Sequence, residues 1–159
     1  MFDRQLDQHW MRHALALAHH AGEQGEVPVG AVIVANGVVI GEGWNQPISS
    51  SDPTAHAEVV ALRDAGARLQ NYRLPDTTLY VTIEPCTMCA GSMVHARVGR
   101  VVYGAAEPKS GVVDSNPCIF DANHFNHKVD SHGGVLAKQC AELMSGFFRS
   151  RRKQRKALG

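Results

Sequence analysis

Residues 77–105, "TTLYVTIEPCTMCAGSMVHARVGRVVYGA", contain the strongest indication of the fold of this chain. It opens with a run of apolar and β-branched residues, which predicts a buried strand. Pro85 is typical of the first turn of a helix, so the segment after it predicts a helix. The run "RVVYGA" (100–105) then predicts a second strand. Strand, helix and strand in this order form a parallel crossover, which indicates an α/β protein.

The segment before this unit adds a hairpin and two helices. The run "VPVGAVIVANGVVIGEGW" (27–44) predicts a β-hairpin, because two β-rich runs meet at Asn36–Gly37. Apolar residues at helical spacing predict a first helix over residues 5–21. After the hairpin we predict a second helix, with Thr54 as its N-cap and a hydrophobic body that continues through Leu62.

The region after the second strand predicts a long loop, an edge strand and a last helix. The loop covers 106–126 and holds one short helical turn, the strand lies in "HKVDS" (127–131), and the helix runs from about 135 to 156. A chain of this length is expected to form one domain, 1–159, with a core of its own. In α/β sheets, ligands bind at the carboxyl ends of strands, where helices begin.

Charge is distributed unevenly along the chain, although the net charge is only +1. Six of the sixteen basic side chains and no acid lie after residue 146, so the preceding residues hold ten basic and fifteen acidic side chains. The six are Arg149, Arg151, Arg152, Lys153, Arg155 and Lys156. Such a segment is either a tail that binds a polyanion or a solvated helix end.

The N-terminal run and the cysteines indicate a compartment. "MFDRQLDQHWMRHALALAHH" carries charges throughout and lacks the apolar centre of a signal peptide. No apolar run approaches the ~18 residues of a membrane span, so we expect a cytoplasmic protein with no membrane partner. Its cysteines should then be reduced. The spacing of Cys86 and Cys89 therefore favours a metal or redox site over a disulfide, and Cys140 is expected in the core.

Three side chains from two predicted helix starts could bind one metal ion. Cys86 and Cys89 are three residues apart, so they share a helix face, and the dipole of the helix N-terminus favours their thiolates. His56 precedes the other helix and supplies a third ligand. Three protein ligands plus water are typical of catalytic zinc, whereas structural zinc has four protein ligands.

Glu58 lies two residues after His56 in the same predicted first turn. Helical side chains lean toward the N-terminus, so both residues can reach a point ahead of the helix. Glu58 need not bind the metal. It can take a proton from zinc-bound water, whose pKa zinc lowers to about 7. We therefore predict Glu58 as the catalytic acid–base residue.

Two other interpretations of the cysteines stay open. The zinc could be structural, with a fourth ligand such as His95, or the two thiols could form a thioredoxin-like dithiol. His95 lies six residues after Cys89 and is expected to point away from it. A dithiol would leave His56 and Glu58 without a role. The combined motifs therefore favour catalytic zinc.

The His-x-Glu and Pro-Cys-x-x-Cys motifs together form the signature of the zinc deaminases. Further runs resemble the bacterial tRNA-specific adenosine deaminases of the zinc-dependent cytidine and deoxycytidylate deaminase superfamily: "VPVGAV", "GEGWN", "DPTAHAE", "NYRL", "TLYVTIEPCTMCAGSM" and "VVYGA". The runs "FNH" (125–127) and "FFRSRR" (147–152) extend the resemblance, which covers about Trp10 to Lys156. The chain departs from the family at Glu107, where aspartate is common, and in "VVDSNPCIF" (112–120), which lacks the usual Gly-Ser-Leu pattern.

The resemblance implies a fold, an activity and a set of site residues. The fold is a three-layer α/β/α structure with a mixed five-stranded sheet, whose first two strands form an antiparallel hairpin. The activity is deamination of the wobble adenosine of a tRNA anticodon to inosine, by a homodimer with one Zn²⁺ per subunit. The implied metal ligands are His56, Cys86 and Cys89, and Glu58 is the proton shuttle. The implied substrate contacts are Asn45 to the purine ring, and Asn126, Phe148 and Arg152 to the anticodon loop.

Several alternatives remain at this point. Asn45 could be only a turn residue before Pro47. The basic tail could be a frayed, solvated end, although Phe148 and Arg152 on one helical stripe suit base stacking and phosphate contact. The protein could also be a free-base or nucleotide deaminase acting on cytosine, guanine or deoxycytidylate, or a structural zinc module that binds RNA.

Overall fold

The computed structural model describes residues 3–159 of the protein. They contain a five-stranded sheet in the order β2-β1-β3-β4-β5. β1 pairs antiparallel with β2 and β3, whereas β4 pairs parallel with β3 and β5. The strands are β1 (Gly30–Ala35), β2 (Val38–Trp44), β3 (Thr78–Ile83), β4 (Arg100–Ala105) and β5 (Asp130–His132). The predicted mixed sheet and its parallel crossover are confirmed.

Helices cover both faces of the sheet. They are α1 (Arg4–Glu23), α2 (Pro47–Ser50), α3 (Ala57–Leu69), α4 (Thr87–His95) and α5 (Ala137–Leu158). α1 and α5 pack on the face that carries Val32, with Cys140 buried there as predicted. α3 and α4 pack on the other face, which carries Ile33. Alternation of side chains along β1 thus separates two apolar layers, and the three-layer α/β/α fold is confirmed.

The hairpin is shaped so that its end lies beside α3. Asn36 and Gly37 have φ of 51° and 74°, and two positive φ angles are typical of a type I′ turn. In β2, a Cβ on Gly43 would lie 2.3 Å from the carbonyl oxygen of Ala57. Glycine therefore lets β2 approach the first turn of α3, and it brings Asn45 next to His56.

The predicted N-cap of α3 is wrong. Thr54 does not cap the helix, which begins at Ala57 with an extended His56 (φ −70°, ψ 152°) in the N-cap position. The Thr54 N–H and hydroxyl instead donate to Asp52 Oδ1 at 2.8 and 2.7 Å. An Asx turn therefore uses Thr54 before the helix starts, because Asp side chains compete locally for backbone donors.

Other boundaries also differ from prediction. The short helix α2 was not predicted. The edge strand begins at Asp130 rather than 127, and in the segment before it the His127 ring donates to the Val98 carbonyl at 2.7 Å. The last helix begins at Ala137, because Leu136 has a left-handed φ of 52°. The long loop holds one 3₁₀ turn, Ile119–Asp121, as predicted. Among residues 3–159, no helix combines the length and apolar character of a membrane span.

Candidate active site

The structure brings the three predicted metal ligands together. His56 is the N-cap of α3, Cys86 is the N-cap of α4, and Cys89 lies in the first turn of α4. The Nδ1 atom of His56 lies 3.7 Å from Sγ of Cys86 and 3.5 Å from Sγ of Cys89. The His56 side chain makes no capping bond to α3 and instead faces the two cysteines. The three side chains therefore meet where the starts of α3 and α4 lie together.

This arrangement fits a zinc ion. The ligand atoms of His56, Cys86 and Cys89 all lie within 4.8 Å of one another. A tetrahedral zinc with bonds of about 2.3 Å to sulfur and about 2.0 Å to nitrogen separates such atoms by about 3.6 Å. Two thiols and an imidazole are also a donor set that favours zinc. The residues present thus suit zinc in distance and in chemistry.

The electrostatics of the cluster prepare it for a cation. Hydrogen bonds from Cys89, and then from His56, lower the pKa of Cys86 to about 4 against the opposing effect of burial. The hydrogen bond with Cys86 and its own burial raise the pKa of Cys89. The two thiols thus share their protons unequally. Because metal ligands bind deprotonated, a zinc ion held by these residues would displace the protons that the cluster carries.

Glu58 is a buried acid next to this cluster. Its side chain lies in the first turn of α3, and the residue is only 3% exposed. Burial raises the pKa of the Glu58 carboxyl. A carboxyl with a raised pKa can both accept and donate a proton closer to neutral pH, as a general acid–base residue requires. The position agrees with the predicted role.

A cavity of about 110 Å³ joins Glu58 to the end of the hairpin. Its walls include His56, Glu58, Cys86 and Asn45. Asn45 Oδ1 accepts the Ala57 N–H at 2.8 Å. This bond replaces the capping bond that His56 does not make, because the first N–H groups of a helix otherwise lack partners. Asn45 therefore supports the start of α3 and also lines the cavity.

Glu84 is a site residue that sequence reasoning missed. It is buried directly after β3, and Oε2 accepts the N–H groups of Val113, Asp114 and Ser115 at 3.0, 2.9 and 2.9 Å. Oε1 accepts the Glu107 N–H at 3.0 Å. Burial opposes ionisation, but these bonds and the Ser115 hydroxyl lower the pKa of Glu84 to about 2. An acid between a buried strand and Pro85 is the signal that could have identified it.

Glu84 thereby holds the loop that closes the cavity. Glu107 and Ser110 from this loop line the cavity opposite Asn45. The loop is tied further by the Val112 N–H, which donates to the Pro85 carbonyl at 3.0 Å. The family departure at Glu107 therefore lies in the wall of the cavity.

The predicted RNA contacts are only partly brought together. Phe148 and Arg152 on α5 line a groove of about 490 Å³, and Asn45 lines both this groove and the cavity. Asn126 is exposed in the segment before β5 and lines neither of them. Three of the four predicted substrate contacts thus lie along one continuous surface, and Asn126 lies apart from it.

The structure disfavours a closed metal site. Within residues 3–159, the group of side chains able to hold a metal consists of His56, Cys86 and Cys89. His95 instead lines a groove between α3 and α4, together with Leu62 and Tyr72. No described protein ligand fills the fourth position, as in catalytic zinc sites.

Comparison with known proteins adds the family. The family model of the cytidine and deoxycytidylate deaminase zinc-binding region matches residues 4–105, which contain the three ligands and Glu58. The tRNA-specific adenosine deaminase of Haemophilus influenzae is 50% identical over 153 residues, which are 96% of this chain and 88% of that protein. The match thus extends well beyond the zinc-binding region and includes α5.

Solved structures agree with this placement. A tRNA:A34 deaminase of A-to-I editing at the wobble position has a TM-score of 0.82 and 44% identity, covering 85% of this chain and 98% of its own. A guanine deaminase from Nitrosomonas europaea has a TM-score of 0.75 at 22% identity, covering 86% and 81%, which shows a shared fold alone. The chain therefore belongs to the zinc-dependent cytidine and deoxycytidylate deaminase family, within the group of bacterial tRNA-specific adenosine deaminases.

Proposed function

We propose that the protein deaminates adenosine to inosine at the wobble position of a tRNA anticodon. The observation that carries this proposal is the buried Glu58 beside the three-ligand cluster, in a cavity that shares Asn45 with a groove on the basic helix α5. Relatives named tRNA-specific adenosine deaminase support the choice of substrate, because they match nearly the whole chain.

Glu58 moves protons in the proposed reaction. His56, Cys86 and Cys89 would hold a zinc ion, which would lower the pKa of water and so supply hydroxide near neutral pH. Glu58 accepts the proton of the attacking water and donates it to N1 of adenine as the C6–O bond forms. It then carries the proton of the new C6 hydroxyl to the exocyclic amine. The C6–N bond breaks, and the products are inosine and ammonia.

Asn45 orients the purine in this scheme. Its Oδ1 is occupied by the Ala57 N–H. The group that remains is the side-chain amide, which donates hydrogen bonds, and adenine ring nitrogens accept them. Asn45 thus fixes the helix start through Oδ1 and the base through its amide nitrogen. In this scheme the residue has both a structural role in the turn and a role in substrate binding.

We place the anticodon loop in the groove on α5. Phe148 is 42% exposed there, and the Arg152 side chain is exposed beside it. Exposed aromatic rings stack on unpaired bases, and arginine contacts phosphates, which is how single-stranded RNA loops are bound. The target base leaves the loop and enters the adjoining cavity. A contact from Asn126 to the loop rests on the family resemblance.

We also propose that the protein acts as a homodimer in the cytoplasm, as the resemblance implies. The surface that we assign to the second copy is the groove of about 850 Å³ between α3 and α4, where Tyr72 is 72% exposed. Exposed aromatic side chains in apolar grooves are typical of interfaces. Light scattering of the purified protein should give twice the 17.2 kDa of the chain, and the mass of one chain would contradict the dimer.

A substrate comparison tests the proposed function. We expect ammonia and inosine from an anticodon stem-loop with adenosine at the wobble position, and no ammonia from the same stem-loop with cytidine there. Free adenine, guanine, cytosine and their nucleotides should be inactive. Activity on a free base or nucleotide without activity on the stem-loop would favour the alternative deaminase. A zinc-loaded protein with no activity would favour the structural module.

A further inference from the structure

Glu26 is a buried acid in the groove on α5, and the proposed mechanism gives it no role. It lies in the turn between α1 and β1, is only 2% exposed, and lines the groove with Asn45, Phe148 and Arg152. A negative charge in a groove that binds RNA should weaken binding, because it repels phosphate. We therefore expect Glu26 to have a structural function that outweighs this repulsion.

One function of Glu26 is to hold α2. Its Oε1 accepts the Ile48 N–H at 3.2 Å, and its Oε2 accepts the Ser49 N–H at 2.7 Å. These N–H groups belong to the first turn of α2, where a helix has no internal partners, and the N-cap residue makes no side-chain capping bond. Because α2 begins two residues after Asn45, Glu26 fixes the wall of the groove that carries Ile48, which is 69% exposed.

Arg151 attaches α5, which forms the opposite wall of the groove, to the turn at residues 25–26. Its Nη2 donates to the carbonyl oxygen of Gly25, and its guanidinium lies 5.0 Å from the centroid of the Phe147 ring. Gly25 has a φ of +82°, and a Cβ there would lie 3.6 Å from the Arg151 guanidinium. Glycine therefore gives the turn the conformation in which its carbonyl meets Arg151.

Arg151 differs from the other cations of the tail. It is half-buried, whereas the five other basic side chains after residue 146 are exposed. Its charge also helps to lower the pKa of Glu26, together with the bonds from α2, against the opposing effect of burial. Its guanidinium is engaged with protein groups, so it is poorly placed to contact a phosphate.

We propose that Glu26 and Arg151 are positioning residues that set the width of the RNA groove before RNA binds. Glu26 holds α2 and Arg151 holds α5, and both act through the turn at residues 25–26. A groove that is already ordered spares the entropy cost of ordering its walls on binding. The inference rests on the proposed function, because it takes an anticodon loop as the occupant of the groove.

Two variants that each remove one negative charge distinguish a positioning role of Glu26 from a purely electrostatic effect on RNA binding. Glu26→Gln and Glu23→Gln each remove one negative charge, but Glu23 is exposed at the end of α1 and does not line the groove. We expect Glu26→Gln to raise the KM for the stem-loop about tenfold, with kcat changed less than about threefold. Glu23→Gln should leave KM unchanged or lower it. A KM for Glu26→Gln at or below that of Glu23→Gln would overturn the proposal.

A second pair of variants tests the attachment of α5 to the turn. Arg151→Gln and Arg149→Gln remove the same charge, and only Arg151 lines the groove and bonds to the turn. We expect the larger rise in KM for Arg151→Gln, at an unchanged salt dependence of KM, because no phosphate contact is lost. Combining Glu26→Gln with Arg151→Gln should raise KM less than the product of the single effects. Equal KM values for the two arginine variants, or multiplicative effects, would count against positioning.

Zinc content and thermal unfolding serve as controls for all variants. If Glu26→Gln loses zinc or fails to fold, the Arg151 and Arg149 pair decides the question. A wild-type protein that does not deaminate the stem-loop refutes the proposed function itself. An active wild type whose Glu26→Gln and Arg151→Gln variants match their controls refutes the positioning role alone.

Discussion

The first turn of α3 can present a metal ligand and an acid to the site because Asn45, which lies outside the helix, supplies its capping bond. His56 occupies the N-cap but faces the two cysteines, and Asn45 accepts the Ala57 N–H at 2.8 Å in its place. Glu58 follows in the same turn, buried and with a raised pKa. His56 thus serves the metal, Asn45 the helix start and Glu58 the proton transfer. Within the described residues, no buried side-chain donor or acceptor is left without a partner.

Replacement of Glu58 separates catalysis from metal binding. We expect Glu58→Ala to bind zinc as the wild type does and to lose turnover of the stem-loop by about 10²–10⁴-fold, because the proton carrier is missing. Zinc content by atomic absorption and inosine formation are the two measurements. Glu23→Ala, which removes an exposed acid of the same type, is the control. Wild-type turnover in Glu58→Ala would refute the assignment.

Two replacements of Asn45 separate its two bonds. Asn45→Asp keeps an oxygen for the Ala57 N–H but loses the amide donor, so we expect wild-type stability and a raised KM. Asn45→Ala loses both, and its free energy of unfolding should fall by about 1 kcal/mol, the usual cost of a lost N-cap. Urea unfolding and stem-loop kinetics give the two readouts. A wild-type KM for Asn45→Asp would make Asn45 a purely structural residue.

Two segments far from the zinc ligands in sequence determine what reaches the site. The loop after β4 is held by the Glu84 carboxylate, which accepts N–H groups from Glu107 and from residues 113–115. The helix α5 supplies the groove through Phe148 and Arg152. The strands and helix starts place the reacting groups, whereas these two segments form the walls that meet the substrate.

Glu84→Gln should loosen the loop. Glutamine has one oxygen and one NH₂ group, which cannot accept a bond from an N–H, so some of the loop donors lose their partner. We expect the free energy of unfolding to fall by about 2–4 kcal/mol, since hydrogen bonds to charged groups contribute about 1.5–3 kcal/mol each. Exchange of the Val113–Ser115 amides with deuterium should become faster. Unchanged protection of these amides would show that Glu84 does not order the loop.

Removal of the basic end of α5 tests whether this helix binds RNA. A chain that ends at Gly146 keeps the buried Cys140 but lacks Phe148, Arg152 and all six tail cations. We expect zinc to be retained and kcat/KM for the stem-loop to fall by about 10²-fold or more at physiological salt, because phosphate contacts provide much of the affinity. Circular dichroism controls for folding. A truncated chain with wild-type kcat/KM would identify the tail as a solvated helix end.

At the level of the whole molecule, a bound zinc ion would join two helices that are distant in sequence. His56 begins α3 and the cysteines begin α4, so the ligand cluster connects two helices on the same face of the sheet. Both starts lie at one edge of the sheet, where β3 ends, as expected for ligand sites in α/β folds.

Zinc removal should therefore affect both stability and reactivity. We expect a chelator to abolish deamination, to lower Tm and to expose Cys86 to thiol reagents, since the thiolate is the nucleophilic form. Added Zn²⁺ should restore all three properties. The measurements are a thermal scan, a thiol titration and inosine formation on the same sample. A chelated protein with wild-type Tm and activity would refute a zinc requirement.

Much of this architecture could be predicted from sequence, because its signals are local. The hairpin follows from Asn36–Gly37, the crossover from 77–105, and the metal ligands from motif spacing. Boundaries were predicted less well. Thr54 was predicted as the N-cap of α3, but it bonds to Asp52 instead, and the competing turn has no periodic signal. The helix α2 was missed, because its first turn is supported by Glu26, more than twenty residues away.

Local sequence patterns predict the layers of the fold and the ligand types of the site, because strand and helix periods and motif spacings involve residues that are near one another in the chain. How the site is closed and how a substrate reaches it depend on tertiary contacts, which leave no local pattern. Glu84 and its loop, and Glu26 with Arg151, act through contacts between segments that are distant in sequence. A buried carboxylate has no sequence pattern that identifies its donors, because any backbone N–H that the fold brings near can serve.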